Sequence, residues 1–203
     1  MLRIRPLLLI LFVAGTLRAA MAAPVNPAPQ DARDARRVPG RAESPALVFP
    51  AQEVWSRIET HADERVVTRT YQPALPAGTP GIDFATVTTL RGIWHADLSR
   101  AQHLFGQRLS AECPGVRASL WLADSSGLGR RLVAWKCEQG DPPFAVLQLL
   151  LQGRDDLFSI ELYARSGVPG EGLLVRWAEW LKQVTLCDRG PGAPPCPDGN
   201  GDQ

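Results

Sequence analysis

The chain has 203 residues, of which 45% are hydrophobic and 21% charged, a composition that suits one folded domain. Residues 1–22 contain three arginines and no acidic residue, so the totals of 22 basic and 21 acidic residues become 19 and 21 in the remainder, a net charge of −2. Without a basic excess, the chain has no electrostatic source of non-specific binding to nucleic acid or anionic lipid, and both partner classes are excluded.

The N-terminus has the three parts of a secretory signal peptide. Two arginines in the first five residues precede an apolar run at 7–17, and the small residues Ala20 and Ala22 follow it. A helix over this run is about 16 Å long, which is too short for the roughly 30 Å hydrocarbon core of a bilayer. We therefore expect a Sec signal peptide at 1–22, cleaved after Ala22 or Ala23. Cleavage leaves no membrane anchor and sends the protein to the periplasm or out of the cell.

Composition divides the rest of the chain into three segments. Residues 23–45 are rich in Pro, Ala and Arg, and residues 189–203 are rich in Pro and Gly. Neither segment has enough large apolar side chains to offset the entropy of ordering. We predict a flexible linker at 23–45, a single α+β domain at 46–188 and a flexible tail at 189–203.

Four cysteines follow the signal peptide: Cys113, Cys137, Cys187 and Cys196. An even number in an oxidising compartment predicts disulfides. The favoured pairs are Cys113–Cys137, which flanks a predicted hairpin, and Cys187–Cys196, which closes a short proline-rich loop. A pairing that bonds Cys187 into the sheet remains an alternative.

The first half of the domain predicts two helices and two strands. Apolar residues of 50–61 share a helical face, which indicates a helix. Many β-branched residues indicate strands over 64–72 and 83–94. Asp97 is a suitable N-cap for an amphipathic helix that ends near Cys113.

The second half predicts an antiparallel meander and a final helix. Four strands are expected at 117–123, 131–138, 144–152 and 157–164, since short turns containing Gly, Pro or Asp separate them. The last helix is predicted over 171–186, where apolar residues form one stripe.

Strands that follow one another in groups, with helices between the groups, indicate an α+β fold. We predict an antiparallel sheet of about six strands with helices packed on one face. In element order the chain resembles the Mog1/PsbP-like sandwiches. Residues 144–151 are apolar on both faces of the strand except at Gln148, which predicts a central strand covered on both sides. Either the N-terminal helix crosses to the second face, or a partner covers that face.

No set of residues indicates catalysis. His95, Asp97 and His103 lie within nine residues, but the predicted helix places the two histidines on different faces, and a metal site needs converging ligands. The pair at 155–156 belongs to a turn, Glu161 lies on a strand, and the chain has no G-x-S-x-G motif. We expect no catalytic, metal or cofactor-binding residue.

The chain has six tryptophans, most of which are expected in the core. Trp180 lies at the margin of the apolar stripe of the last helix, and Trp121 and Trp135 lie on neighbouring strands. These three side chains are the candidates for a contact surface with a partner.

These features favour a periplasmic, non-enzymatic binding protein that engages another protein of the envelope, in the manner of an inhibitor or an immunity protein. The alternative is a small-ligand carrier or envelope assembly factor, which requires an apolar pocket at Trp121 or Trp135. A hydrolase of unrecognised type is the third hypothesis, and its mark would be converging carboxylates or histidines in a cleft.

Overall fold

The computed structural model describes residues 43–50, 53–74, 81–93, 95–125, 129–165, 167–188 and 196. Within these ranges the chain forms nine strands and two helices. In chain order they are β1 (Glu43–Ala46), β2 (Trp55–Ala62), β3 (Val66–Pro73), β4 (Phe84–Leu90), α1 (Leu98–Glu112), β5 (Arg117–Asp124), β6 (Arg130–Cys137), β7 (Phe144–Gln152), β8 (Leu157–Ala164), α2 (Glu171–Gln183) and β9 (Thr185–Asp188). The fold class is α+β, as predicted.

Seven strands form one antiparallel sheet in the order β2-β3-β4-β8-β7-β6-β5. The predicted four-strand meander is confirmed as β5 to β8. A second meander, β2 to β4, joins the first where β4 pairs with β8. The sheet therefore has β2 and β5 as its two edge strands.

The predicted helix over 50–61 is wrong, because Trp55 to Ala62 forms the edge strand β2. This strand also raises the sheet from the expected six strands to seven. A register shift between Arg57 and Glu59 interrupts the alternation of β2. Trp55 is buried and Ile58 is exposed, although their spacing of three residues is also that of a helical face. Pairing with β3 decides the structure where the local pattern is ambiguous.

The strand predicted over 83–94 ends earlier than expected. β4 stops at Leu90, and the chain turns at Gly92, whose φ of 71° is in the region that favours glycine. The Gly92 N–H donates to the Asp156 carboxylate at 2.8 Å, which ties this turn to the β7–β8 turn. Residue 94 lies outside the described residues.

The two helices lie on opposite faces of the sheet, so the prediction that the helices share one face is wrong. Successive side chains of a strand point to opposite faces. On β7, Leu147 and Leu149 belong to the core that also contains Trp177 of α2. Val146 belongs to a second core with Phe105 of α1. We call these two sides the α2 face and the α1 face.

The prediction of a central strand covered on both sides is confirmed. Every residue of β7 is buried, and the cover is α1 on one face and α2 on the other. No helix in the described part of the chain combines the length and the apolar character needed to cross a bilayer.

The predicted N-cap of α1 is confirmed. One carboxylate oxygen of Asp97 accepts from the backbone N–H of Ser99 at 2.9 Å and of Arg100 at 3.1 Å. These bonds satisfy donors that a helix start otherwise leaves unpaired. The helix ends at Cys113, which is bonded to Cys137 at the end of β6.

The structure forms both favoured disulfides, Cys113–Cys137 and Cys187–Cys196. Cys187 lies in β9, which pairs with β1 in a separate two-stranded sheet. Ordered structure therefore begins by Glu43, slightly before the predicted domain boundary at 46. The rest of the predicted linker, the signal peptide and the tail apart from Cys196 lie outside the described residues.

A charged contact connects the two-stranded sheet to the main sheet. The Arg154 guanidinium, at the β7–β8 turn, donates from Nε to Glu43 of β1 at 2.8 Å and contacts Asp188 of β9 at 3.2 Å. The Arg154 backbone N–H also donates to Glu43 at 2.7 Å. Bonds from one residue to both short strands hold the ends of the domain against the β7–β8 turn.

Candidate functional site

A groove of about 400 Å³ lies on the α1 face between α1 and strands β5 and β6. Its α1 wall includes Ser99, His103, Gly106 and Ser110, which recur at intervals of three or four residues and so share one side of the helix. Its floor consists of side chains from the two strands. None of its ten lining residues is acidic.

Gly106 permits the close approach of α1 to the sheet. A Cβ atom at this position would lie 2.6 Å from Cη2 and 2.8 Å from Cζ3 of the Trp135 ring. Both distances are well inside van der Waals contact, so only glycine fits without displacement of the indole. A glycine in the middle of a predicted helix is the sequence signal that could have indicated this contact.

Trp135 forms part of the groove floor and is 6% exposed. Its ring lies 5.7 Å from that of Phe105, with a tilt of 47°. The indole N–H is buried and has no hydrogen-bond partner among the described residues. A buried donor without a partner carries an unfavourable desolvation free energy.

Arg131, which lies on β6 four residues before Trp135, supplies a positive charge to the groove. Its Nε donates to the side-chain oxygen of Gln102 on α1. Because Gln102 is neutral and the lining has no carboxylate, no charge within the groove offsets the guanidinium.

The three tryptophans predicted as a contact surface do not share one face. Trp135 lies on the α1 face, whereas Trp121 and Trp180 pack against the core of the α2 face. The Trp180 ring stacks on Phe49 at 5.3 Å, and its N–H donates to the Val48 carbonyl at 2.6 Å. Trp180 therefore has intramolecular partners for both its ring and its polar atom.

A second polar cluster surrounds Glu161, which is 7% exposed on β8. Ser159 donates to Oε1 at 2.9 Å. Tyr163 donates to Oε2 at 2.5 Å, and Thr86 donates to the same oxygen at 3.3 Å. Arg108 of α1 lies 3.4 Å from Oε2 and donates to the Tyr163 hydroxyl at 2.8 Å. Both carboxylate oxygens are thus engaged, and this buried charge is compensated by donors and by one cation.

Gln148 extends this cluster to the central strand. It is 2% exposed, and its Nε2 donates to Ser159 Oγ at 3.4 Å, while its Oε1 has no partner in the described part of the chain. The single polar residue of an otherwise apolar strand thus lies beside the buried carboxylate. Glu161 and Gln148 are visible in the sequence only as separate polar residues, because their proximity depends on the pairing of β7 with β8.

Burial and the negative charge of Glu161 raise the pKa of Tyr163 well above its ordinary value of 10.0. Burial alone lowers the pKa of Arg108, but Tyr163 and Glu161 outweigh it and raise this pKa overall. The phenol therefore stays neutral and the guanidinium stays charged at physiological pH. A neutral phenol and a charged guanidinium can both donate hydrogen bonds to the Glu161 carboxylate.

The three histidines lie on separate elements. His61 is on β2, His95 precedes α1 with a φ of 54°, and His103 lines the groove. Within the ranges described, no three or more His, Cys, Asp or Glu side chains are arranged as a metal site. The acidic pair at 155–156 lies in the β7–β8 turn, where Asp156 accepts from Gly92.

Comparison with known protein families, with curated proteins and with solved structures finds no match for this chain.

Gly106→Ala tests the close approach of α1 to Trp135. We expect the free energy of unfolding to fall by roughly 1 kcal/mol. Displacement of the indole destabilises by about 1–3 kcal/mol, while the better helix propensity of alanine stabilises by about 1 kcal/mol. Gly172→Ala in α2 is the control, since no atom lies within 4 Å of its added Cβ, and it should be neutral or stabilising. Urea unfolding measures both variants, and equal effects would contradict the contact.

Tyr163→Phe tests the phenol in the Glu161 cluster. A raised pKa in the folded state means that the stabilisation is complete below about pH 10 and is lost as pH rises further. We expect the variant to lose about 1–3 kcal/mol at pH 7, because Glu161 loses a donor, and to show a shallower decline of stability between pH 10 and 11.

Ser159→Ala is the control, since it removes a donor to the same carboxylate and no titrating group. It should lower stability at pH 7 but keep the alkaline decline of the natural chain. Urea unfolding over this pH range measures both variants. An unchanged alkaline decline of stability in Tyr163→Phe would contradict its assignment to Tyr163.

Proposed function

We propose that this chain is an exported, non-enzymatic protein of the bacterial envelope that binds another protein, in an inhibitor-like or immunity-like role. The observation that carries the proposal is the edge strand β5, which borders the groove and has an uncharged centre. Exposed edge strands have unpaired backbone donors and acceptors along one side, and partner segments bind to them by strand addition.

The two edges of the sheet differ in how they resist strand addition. The middle of β2 has Arg57 and Glu59, and charged side chains are a common protection of edges. On β5 the charged residues are the terminal ones, Arg117 and Asp124. The apolar side chain of Leu120, in the uncharged centre, is 51% exposed. Of the two edges, β5 is therefore the better surface for a partner.

Export is part of the same proposal. The signal-peptide pattern of residues 1–22 implies transfer across the inner membrane and cleavage after Ala22 or Ala23. The two disulfides support an oxidising compartment, because intracellular thiols are kept reduced in most bacteria.

We also propose that the fold belongs with the Mog1/PsbP-like sandwiches. Support comes from the antiparallel sheet with one helix on each face. A shared fold does not transfer a function, so this assignment adds nothing to the choice of partner.

The groove also favours a second candidate, a small-ligand carrier, because Trp135 lies in its floor and its volume of about 400 Å³ is within the range of ligand sites. Such sites are lined mainly by apolar side chains. Here six of the ten lining residues have polar side chains, and the apolar side chains are those of Val116, Ala118 and Trp135. This lining fits a polar segment of a protein better than an apolar small molecule.

Capture of a partner tests the proposed function. The chain, tagged and purified from the periplasm with its disulfides intact, should cross-link to one stoichiometric protein in periplasmic extract. Leu120→Glu should reduce capture at least tenfold, because a charge at the centre of an edge opposes strand addition. Ile58→Glu is the matched control, since Ile58 is 56% exposed at a register shift in the other edge strand, and it should capture normally. No captured partner, or equal loss in both variants, would argue against the proposal.

N-terminal sequencing tests the proposed export. The protein recovered from the periplasmic fraction should begin at Ala23 or Pro24, since cleavage follows the small-residue pair. A variant with Ala20→Gln and Ala22→Gln should stay unprocessed in the membrane fraction. A full-length cytoplasmic product from the natural sequence would refute export.

A further inference from the structure

The lining of the groove favours an anionic group. Arg131 contributes a guanidinium that has no acidic partner among the described residues, and His103, Ser99 and Ser110 contribute further donors. Guanidinium, imidazole and hydroxyl donors around a space without an acidic side chain are suited to a carboxylate.

The first half of β5 lies beside this groove. Arg117 to Leu120 pairs regularly with β6 before the register shift at Trp121. Ala118 of this segment forms part of the groove floor. Since side chains alternate between faces, every second side chain of a strand added to this segment would lie on the groove side. One bound segment can therefore pair with β5 and place a side chain in the groove.

We propose that the groove receives an acidic side chain of an extended partner segment that adds to the outer edge of β5, an inference that rests on the proposed function of protein binding. Arg131 pairs with the carboxylate, and His103 provides a further donor. The groove is thus the specificity determinant of the interface, while the backbone of β5 supplies affinity that does not depend on sequence.

A second copy of the chain fits this site less well. Antiparallel pairing of two β5 strands would place Ala118, Leu120 and Ala123 of the second copy on the α1 face, by the register of β5 with β6. None of these residues is acidic, so self-pairing leaves Arg131 without a carboxylate. The charge of the groove therefore favours a different protein as the occupant.

Display of random linear twelve-residue peptides on phage tests this proposal. The target is the exported chain purified from the periplasm with its disulfides intact. Selected peptides should share an Asp or Glu at a fixed position within an extended run. For a synthetic selected peptide, Glu→Gln or Asp→Asn should weaken binding about tenfold, as expected for loss of a charge-assisted pair. Hydrogen exchange should show protection of β5 amides on binding.

Substitutions in the groove test which residue recognises the acidic side chain of the peptide. Arg131→Gln should weaken the acidic peptide about tenfold and remove its advantage over the amide peptide, whereas Arg131→Lys should keep part of this advantage. Arg100→Gln is the matched control, because Arg100 is an exposed arginine of α1 that does not line the groove, and it should change binding less than twofold. His103→Gln, at an exposed position, provides a variant with little effect on folding and should weaken binding two- to fivefold.

Three outcomes would overturn the inference: no enriched peptide, enriched peptides without an acidic position, or an acid preference that survives Arg131→Gln. A dimer in light scattering that Leu120→Glu dissociates would also overturn it in favour of self-pairing. These results are separate from failure of the proposed function, which is decided by capture of a periplasmic protein with the Leu120 and Ile58 variants.

Discussion

Burial of β7 on both faces is the constraint on which the rest of the fold depends. An eight-residue run that is apolar except at Gln148 can be stable only where both sides of the strand are shielded from water. The chain meets this requirement with α1 on one face and α2 on the other. Within the described residues, α1 packs against β6 and β7, and no strand pairs with the outer side of the adjoining edge strand β5. The groove is the space between that helix and that edge.

Most of the fold could be predicted from local patterns. The β5–β8 meander, both helices and the Asp97 cap follow from alternation, turn residues and capping chemistry, all of which act over short distances. The error at β2 has a physical cause: an exposed edge strand with a bulge has no buried alternation to distinguish it from a helix. The placement of the helices on opposite faces could not be read locally either, because it depends on how the two meanders join at β4 and β8.

The candidate site could be predicted only in part. The sequence indicated Trp135 as a contact candidate but not Gly106 and Arg131, which line the same groove. The groove arises from the approach of a helix to a sheet, which local patterns do not show. The grouping of Trp121 and Trp180 with Trp135 assumed a common surface, which strand alternation and the bulge at Trp121 rule out. The Glu161 cluster shows the same limit. Its members were visible as single polar residues, but strand pairing and the reach of Arg108 bring them together.

The Cys113–Cys137 disulfide has a consequence for when the groove is completed. One cysteine follows the last residue of α1, which forms a wall, and the other is the last residue of β6, which forms the floor. A covalent bond therefore closes the frame of the groove at one end, and that bond forms only where thiols are oxidised. If the chain is exported as proposed, the surface matures after translocation.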